Sequence, residues 1–111
     1  MIDWSRVDEL VDEIGPEDFG EVAELFLVEV ESAVCLLESS EGNPVVTEEQ
    51  MHFLKGASLN LGFALLAQIC LKGEKAAAEG NPEAVSAAQV RTIFEESRDQ
   101  FQKGLPERLA A

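Results

Sequence analysis

The sequence predicts an all-α protein: an antiparallel, up-down-up-down four-helix bundle with a short extra N-terminal helix. Apolar residues recur every three to four positions in successive segments, which is the period of an amphipathic helix. No run alternates between apolar and polar residues, and the connections are short and contain Gly, Asn and Pro. With 111 residues, of which 46% are hydrophobic, the chain can form one core, so we expect a single domain over residues 1–111.

The first two helices are expected to follow each other directly. Asp3 is a suitable N-cap for a short first helix, and Gly15 followed by Pro16 ends it. Pro16 also suits the first turn of a second, longer helix that runs to about Ser40. The main apolar stripe expected on this second helix consists of Phe19, Val22, Phe26, Val30, Ala33, Val34 and Leu37.

Three further apolar residues widen this stripe: Leu25, Val28 and Leu36. Together they make the apolar face of the second helix broader than one core contact needs. The second helix is therefore either buried on more than one side or leaves apolar surface for a partner.

A third helix is expected to begin at Thr47, because Thr47 and Gln50 have the spacing of a capping box. It follows a loop of Ser, Glu, Gly, Asn and Pro over residues 39–44. The residues of its predicted buried stripe recur at intervals of three and four, namely Met51, Leu54, Ser58 and Leu61. Gly62 then ends or kinks the helix.

Two more helices are expected to complete the bundle. The fourth covers residues 63–78, and Asn81 and Pro82 suit the N-cap and first position of the last helix. Pro106, with the glycine shortly before it, is expected to close that helix. Residues 106–111 then form a flexible tail.

The only histidine, His52, lies at the edge of the buried stripe of the third helix. Residues three and four positions apart are neighbours on a helix surface, so Lys55 and Gly56 lie beside it. A neutral imidazole can attack phosphorus, a lysine can offset charge on the transferred oxygens, and a glycine leaves room for a partner. Glycine inside a helix costs about 1 kcal/mol relative to alanine, and close approach of a partner would explain it. These neighbours indicate a nucleophile that accepts a phosphoryl group.

The stretch that begins at His52 resembles the signature of histidine-containing phosphotransfer (HPt) domains, His-x-Leu-Lys-Gly-[Ala/Ser]-[Ser/Ala]-x-x-[Leu/Ile/Phe]-Gly. It agrees with that signature at every specified position, through His52, Leu54, Lys55, Gly56, Ala57, Ser58, Leu61 and Gly62. HPt domains are antiparallel four-helix bundles, which is the fold that the helical pattern predicts.

The resemblance implies an intermediate in a phosphorelay. His52 would accept a phosphoryl group from the receiver-domain aspartate of a hybrid histidine kinase and pass it to the aspartate of a response regulator. The chain has no glycine-rich nucleotide motif, so we expect a phosphoryl carrier and not a kinase with its own ATP site. It would need no cofactor of its own. The Mg²⁺ that assists transfer would belong to the partner receiver domain, since no carboxylate cluster is expected to face His52.

Receiver docking is expected on exposed apolar residues around His52. Leu59 and Phe63 are the candidates, because they continue the His52 surface at helical spacing. Some HPt domains also place a glutamine or a basic side chain of the following helix close to the histidine. The candidates for that supporting role are Gln68, Lys75 and, as first choice, Lys72.

Two other functions remain open. One is a non-catalytic helical adaptor that binds a receiver or kinase domain without phosphoryl transfer, for which His52 would be dispensable. The other is a scaffold that dimerises through the broad apolar face of the second helix. The pair of Lys55 and Gly56 favours transfer, because a scaffold has no need of a helix-weakening glycine at that position.

The charge of the chain disfavours several classes of partner. Eight Lys and Arg residues against 22 Asp and Glu residues give a formal net charge of −14, which repels nucleic acids and anionic membranes. No signal peptide or membrane-spanning run is present, so we expect a cytoplasmic monomer. Cys35 and Cys70 are interpreted as small core residues, since with one histidine they are too few for a zinc site.

Overall fold

A computed structural model describes residues 1–110 and contains five helices joined by short connections. They are α1 (Trp4–Ile14), α2 (Pro16–Ser39), α3 (Pro44–Leu61), α4 (Ala64–Ala78) and α5 (Ala87–Ala110). The all-α class is confirmed, since the only extended pairing within residues 1–110 is an isolated bridge between Ile2 and Phe63. None of these helices combines the length and the apolar character needed to cross a membrane.

The helices α2 to α5 pack as a ring around one core. α3 contacts α2 and α4, and α5 closes the ring by contacting the same two helices. α1 covers the ring through contacts with α2, α3 and α5. The largest side chains of the core are the buried phenylalanines Phe19, Phe63, Phe94 and Phe101. Each buried side chain of this size stabilises the fold by about 1.5–3 kcal/mol, so this cluster is a main source of stability.

The predicted limits of the first two helices are confirmed. Asp3 caps α1 by accepting a hydrogen bond from the backbone N–H of Arg6 at 3.3 Å, and α2 runs from Pro16 to Ser39. Phe19 is buried as predicted, but the next buried residues of α2 are Ala23 and Leu27 and not the predicted Val22 and Phe26, which are only partly buried. Steps of four residues, from Phe19 to Ala23 and on to Leu27, keep these side chains on the face of α2 that packs against the core. The predicted step of three residues, from Phe19 to Val22, turns the side chain away from that face.

The predicted start of the third helix at Thr47 is wrong, because α3 begins at Pro44. Asn43 is its N-cap, and the Asn43 side chain accepts hydrogen bonds from the N–H groups of Val45 and Val46 at 3.1 and 3.2 Å. Asparagine at the N-cap followed by proline at the first position is a stronger start signal than the capping box after it. Thr47 is consequently buried inside the first turn.

The predicted start of the last helix is also wrong, since α5 begins at Ala87 and not at Pro82. Asn81 instead closes α4, because its backbone N–H donates to the carbonyl of Ala76 at 2.8 Å. The N-cap of α5 is Ser86, whose hydroxyl accepts a backbone hydrogen bond at 3.1 Å. An Asn-Pro pair suits a turn as well as a helix start, and here it forms the turn after α4.

At its other end α5 continues past Pro106. The flexible tail predicted for residues 106–111 is therefore wrong, apart from the last residue, which lies outside the described part. Arg108 holds this last turn against α1: its Nη1 lies 2.8 Å from Asp8 Oδ2, and its guanidinium lies 4.8 Å from the ring centre of Trp4. These contacts compensate for the helix hydrogen bond that a proline cannot donate.

The segment before α1 is bonded to the turn that follows α3. The Asp3 N–H donates to the Gly62 carbonyl at 2.7 Å, and Arg6 Nε donates to the carbonyl of Asn60 at 3.1 Å. Gly62 has a φ of 85°, and a Cβ there would lie 2.8 Å from the Asp3 carbonyl oxygen. Only glycine meets both requirements. This clamp fixes the end of α3, the helix that carries His52.

Candidate functional site

His52 lies on the outer surface of α3, and 70% of its side chain is exposed. The buried stripe predicted for this helix is confirmed, since Met51, Leu54, Ser58 and Leu61 are all buried, and His52 lies at its edge. On the helix surface Lys55 and Gly56 follow His52 by one turn, and Glu48 and Glu49 precede it by one turn. On its own helix the imidazole is therefore flanked by one cation, two carboxylates and a glycine that has no side chain.

Glu74, from α4, joins His52 to Lys55 through one carboxylate. Its Oε2 lies 2.6 Å from His52 Nδ1, and its Oε1 accepts a hydrogen bond from Lys55 Nζ at 2.6 Å. The side chains of Lys55 and Glu74 are only 25% and 18% exposed. This partly shielded pair holds the exposed imidazole from one side.

Gly73 explains how Glu74 reaches this position. A Cβ on Gly73 would lie 2.8 Å from Met51 Cε and 2.9 Å from its Sδ, so the missing side chain lets α4 come close to α3 at this level. His52 follows Met51 on α3, as Glu74 follows Gly73 on α4. Each step of one residue turns the direction of the side chain by about 100°. His52 and Glu74 thereby meet at one edge of the contact between the two helices.

The electrostatics of this contact determine where the imidazole proton resides. The hydrogen bond from Lys55 lowers the pKa of the Glu74 carboxyl, and the contact with His52 lowers it further, against the opposing effect of partial burial. Glu74 is therefore ionised at neutral pH and can only accept hydrogen bonds. The proton between Glu74 and Nδ1 consequently belongs to the imidazole. In the neutral ring this leaves the lone pair on Nε2.

Gly56 borders open space beside His52. It is exposed, and a Cβ built there would meet no atom within 4 Å. Gly73 is the opposite case, because a Cβ there would collide with Met51. Gly56 therefore does not serve the packing of helices against each other, and the space that it leaves is available to a partner.

The predicted docking role of Phe63 is wrong. Phe63 is fully buried, and its ring packs edge-on against Phe101 with the ring centres 5.5 Å apart. The prediction extended the helical spacing of α3 through position 63, but α3 ends at Leu61, and the left-handed turn at Gly62 redirects the chain inward. Leu59 remains a docking candidate, since it is 59% exposed.

Lys72 does not approach His52. Residues 72 and 74 are about 160° apart around α4, so Lys72 lies on the flank of α4 away from Glu74. Lys72 is exposed and forms no ion pair within residues 1–110, and neither Gln68 nor Lys75 contacts His52 there. The side chain of α4 that supports His52 is therefore Glu74. A contact of Lys72 with a partner stays a prediction.

Glu74 was not identified from the sequence, because a carboxylate at this position has no local signal. Its role depends on the register between α3 and α4. One signal was available: Gly73 lies as far after the turn at Gly62 as Met51 lies before it, and a glycine in the middle of a helix is typical of close approach. Aligning the two helices on that pair would have placed Glu74 near His52.

An apolar groove lies between α2 and α3, close to the histidine. It has a volume of about 350 Å³ and is lined chiefly by Val28, Leu36 and Phe53. These side chains are 62%, 46% and 40% exposed, and Leu25 on the same helix is 66% exposed. Of the two alternatives for the broad apolar face of α2, the structure shows the one in which apolar surface stays exposed. Phe53 directly follows His52, and consecutive residues of a helix point about 100° apart, so the groove lies on the neighbouring side of α3.

The other groups that could bind a metal or react, the remaining carboxylates and the two cysteine thiols, do not form a second site. Within residues 1–110 no three His, Cys, Asp or Glu side chains are placed to hold a metal ion. Both cysteines are free thiols. Cys70 is buried as predicted, and burial raises its pKa to about 12. Cys35 is exposed, which corrects its assignment to the core.

Comparison with known proteins adds no relative for this site: no protein-family model matches the chain, and neither a curated protein nor a solved structure does.

Proposed function

We propose that this chain is a histidine phosphotransfer protein of the HPt type. His52 accepts a phosphoryl group from the aspartate of a receiver domain in a hybrid histidine kinase and passes it to the aspartate of a response regulator. The observation that supports this most is the pair of 2.6 Å contacts through which Glu74 holds His52 Nδ1 and Lys55 Nζ. They orient an exposed imidazole whose Nε2 is free to react.

In the accepting step, the lone pair of His52 Nε2 attacks the phosphorus of the aspartyl phosphate in line with the leaving oxygen. The N–P bond forms as the P–O bond breaks, and the receiver aspartate leaves as a carboxylate. No proton has to be removed, because Nδ1 keeps its hydrogen. The ring becomes positively charged, and the Glu74 carboxylate 2.6 Å away offsets that charge. The donating step is the reverse, with the aspartate of the regulator as nucleophile.

Lys55 and Gly56 support the transfer in different ways. The ammonium group of Lys55 has three N–H donors, and Glu74 takes one of them. The others can donate to the phosphoryl oxygens. Gly56, with nothing within 4 Å of a Cβ position, lets the receiver bring its aspartate to the imidazole. The reacting atoms have to approach to about 3–3.5 Å, which a longer side chain at position 56 would prevent.

Receiver docking uses the apolar surface near the histidine. Leu59 and the apolar groove of Val28, Leu36 and Phe53 supply exposed apolar contacts close to His52. Lys72 contacts the receiver at the periphery. Since the protein has a net charge of −14, a receiver with basic residues around its docking surface is favoured.

We also propose that α2 to α5 alternate in direction, as in an antiparallel up-down-up-down bundle. Two residues, Gly62 and Phe63, separate α3 from α4, and such short connections favour antiparallel neighbours. Met51 packs on Gly73 at equal chain distance from this turn. The protein is then a cytoplasmic monomer with no ATP site and no cofactor of its own, and the Mg²⁺ of the reaction is bound by the receiver domain.

Phosphoryl transfer from labelled receivers tests the function. Purified receiver domains are charged with ³²P acetyl phosphate, freed of it, and mixed with the wild type or with His52→Gln. We expect acid-labile label on the wild type and none on His52→Gln. His52→Gln should keep the wild-type melting temperature, because His52 is exposed. Label on the variant would contradict the assignment of His52.

The same experiment separates the adaptor and scaffold alternatives. An adaptor would bind a receiver with measurable affinity in titration calorimetry and acquire no label, and His52→Gln would bind equally well. A scaffold that dimerises through α2 would elute as a dimer in size-exclusion chromatography with light scattering. We expect a monomer that acquires label.

A further inference from the structure

A cavity of about 330 Å³ lies between the end of α2, the first turns of α3 and the segment that joins α4 to α5. Its inner wall is apolar and consists of the buried side chains Leu37, Met51, Val85 and Ala87. This volume lies in the range of small-molecule sites, about 300–1,000 Å³. The cavity is thus large enough for a small organic ligand.

Thr47 contributes an unpaired polar group to this wall. It lines the cavity and is 4% exposed, and its hydroxyl makes no hydrogen bond with any of residues 1–110. A threonine inside a helix commonly donates to the carbonyl four residues earlier, as Thr92 does to Ala88 at 3.1 Å. The fully buried side-chain oxygens without a partner within residues 1–110 are those of Ser58 and Ser97, so the Thr47 hydroxyl is one that the cavity can reach. A ligand with a polar atom at this position can pair with it.

The mouth of the cavity is negatively charged. Glu41 and Glu83 are exposed and line it. Glu83 Oε1 lies 3.4 Å from the Cβ position of Gly42, so the Glu83 carboxylate lies beside the residue that follows Glu41. Neither glutamate forms an ion pair within residues 1–110, and no Lys or Arg lines the cavity. Two unpaired carboxylates on a protein of net charge −14 favour cations and repel anions.

We infer that this cavity binds a small amphipathic cation, namely a primary amine with a short aliphatic or aromatic body. The apolar body packs against Met51 and Val85, and the ammonium group lies between the carboxylates of Glu41 and Glu83. The Thr47 hydroxyl accepts a hydrogen bond from the ammonium group or pairs with a polar substituent of the body. A carboxylate or phosphate ligand is excluded by the charge of the mouth.

Methyl NMR of the whole chain tests this with 2-phenylethylammonium as the probe and 2-phenylethanol as its uncharged counterpart. We expect saturable shifts of the methyl signals of Thr47, Met51 and Val85 with the amine, with a dissociation constant of about 1 mM or lower. The alcohol should bind about tenfold more weakly, which corresponds to 1.4 kcal/mol. Equal affinity for the two probes, or no saturable shift with the amine at millimolar concentration, would overturn the inference.

Two sets of variants make the test specific. Glu41→Gln combined with Glu83→Gln should weaken binding of the amine about tenfold and leave the alcohol unaffected, whereas Glu17→Gln, on the exposed start of α2, should change neither. Thr47→Val keeps the shape of the cavity and removes the hydroxyl, so the affinity should fall while the melting temperature holds or rises. Unchanged amine binding in the double variant would contradict the inference.

Discussion

Glu74 Oε2 and His52 Nδ1 lie 2.6 Å apart across the contact between α3 and α4, on the side of the imidazole away from the free nitrogen. The same carboxylate accepts a hydrogen bond from Lys55, so one group positions both the imidazole and the nearby cation. In the proposed transfer Glu74 would not touch the phosphoryl group. It would be a positioning residue that acts through the tautomer, orientation and charge of the imidazole.

Glu74→Gln should slow phosphoryl transfer to His52 by roughly 10- to 100-fold, as expected when a reacting group is misplaced by about 1 Å. An amide no longer offsets charge, and its NH₂ group can donate to Nδ1 and so move the ring proton to Nε2. In label-transfer kinetics the maximal rate should fall while the receiver concentration that gives half-saturation stays unchanged. Glu79→Gln, at the exposed C-cap of α4, is the charge-matched control and should transfer normally.

The tautomer itself can be observed by ¹⁵N NMR, and the assignment is unambiguous because the chain has one histidine. The wild type at alkaline pH should show its proton on Nδ1, and Glu74→Gln should show a larger share of the Nε2–H form. A wild-type imidazole protonated on Nε2 would exclude Nε2 as the nucleophile and would reverse the role given to Glu74.

The pH dependence of stability should report the Glu74 contact with Lys55. Because the hydrogen bond from Lys55 lowers the pKa of Glu74, its stabilising effect is complete above the pKa of an unfolded glutamate, about 4.3. It is lost as the pH falls through the lower pKa of the folded state. In urea titrations the difference in unfolding free energy between wild type and Glu74→Gln should therefore be constant near neutral pH and vanish in acid. In a Lys55→Met background the same difference should vary less with pH.

Gly56→Gln should keep or raise stability and still impair transfer. Glutamine is a better helix former than glycine by up to about 1 kcal/mol, and no atom lies within 4 Å of a Cβ at this position. The longer side chain would occupy the space in which the receiver approaches His52. Melting temperature and transfer rate are both measured. Gly20→Gln is the matched control, because Gly20 is also helical and has no atom within 4 Å of a Cβ built on it. This control should transfer normally. A similar loss of transfer in Gly20→Gln would contradict the role of Gly56.

Phe63→Ala should lower the stability of the fold, whereas Leu59→Ala should weaken receiver binding. Phe63 is fully buried, so its truncation should cost about 3–5 kcal/mol of unfolding free energy. Leu59 is 59% exposed, so its truncation should change stability by no more than about 0.5 kcal/mol. It should instead weaken receiver binding in titration calorimetry. Normal receiver affinity of Leu59→Ala would remove Leu59 from the docking surface.

The sequence predicted the helices well wherever the apolar period was long. The stripe of α3 through Met51 and Leu54, the cap at Asp3 and the limits of α2 agree with the structure. The errors in the helix limits lie where two local signals compete. Asn43 and Thr47 both carry start signals, but the N-cap at Asn43 is followed by a proline at the first position and Thr47 packs into the interior.

Contacts between different helices could not be predicted from local sequence patterns. The neighbours of His52 on its own helix, Lys55 and Gly56, follow from helical spacing alone. Glu74 depends on how closely α4 approaches α3, and Phe63 depends on the direction in which the chain leaves a left-handed glycine. Neither quantity is a property of a single segment, which is why the sequence indicated Lys72 on the following helix and not Glu74.

Trp4 supplies a fluorescence signal for one contact of the fold. It is the only tryptophan in a chain without tyrosine, and its ring stacks on that of Phe101 at a centroid distance of 6.2 Å while Arg108 covers it from α5. Its fluorescence therefore reports a single event, the separation of α1 from the end of α5. Circular dichroism reports the helices as a whole. If the emission changes at a lower urea concentration than the ellipticity does, α1 detaches while the ring of four helices, with His52 on its surface, is still folded.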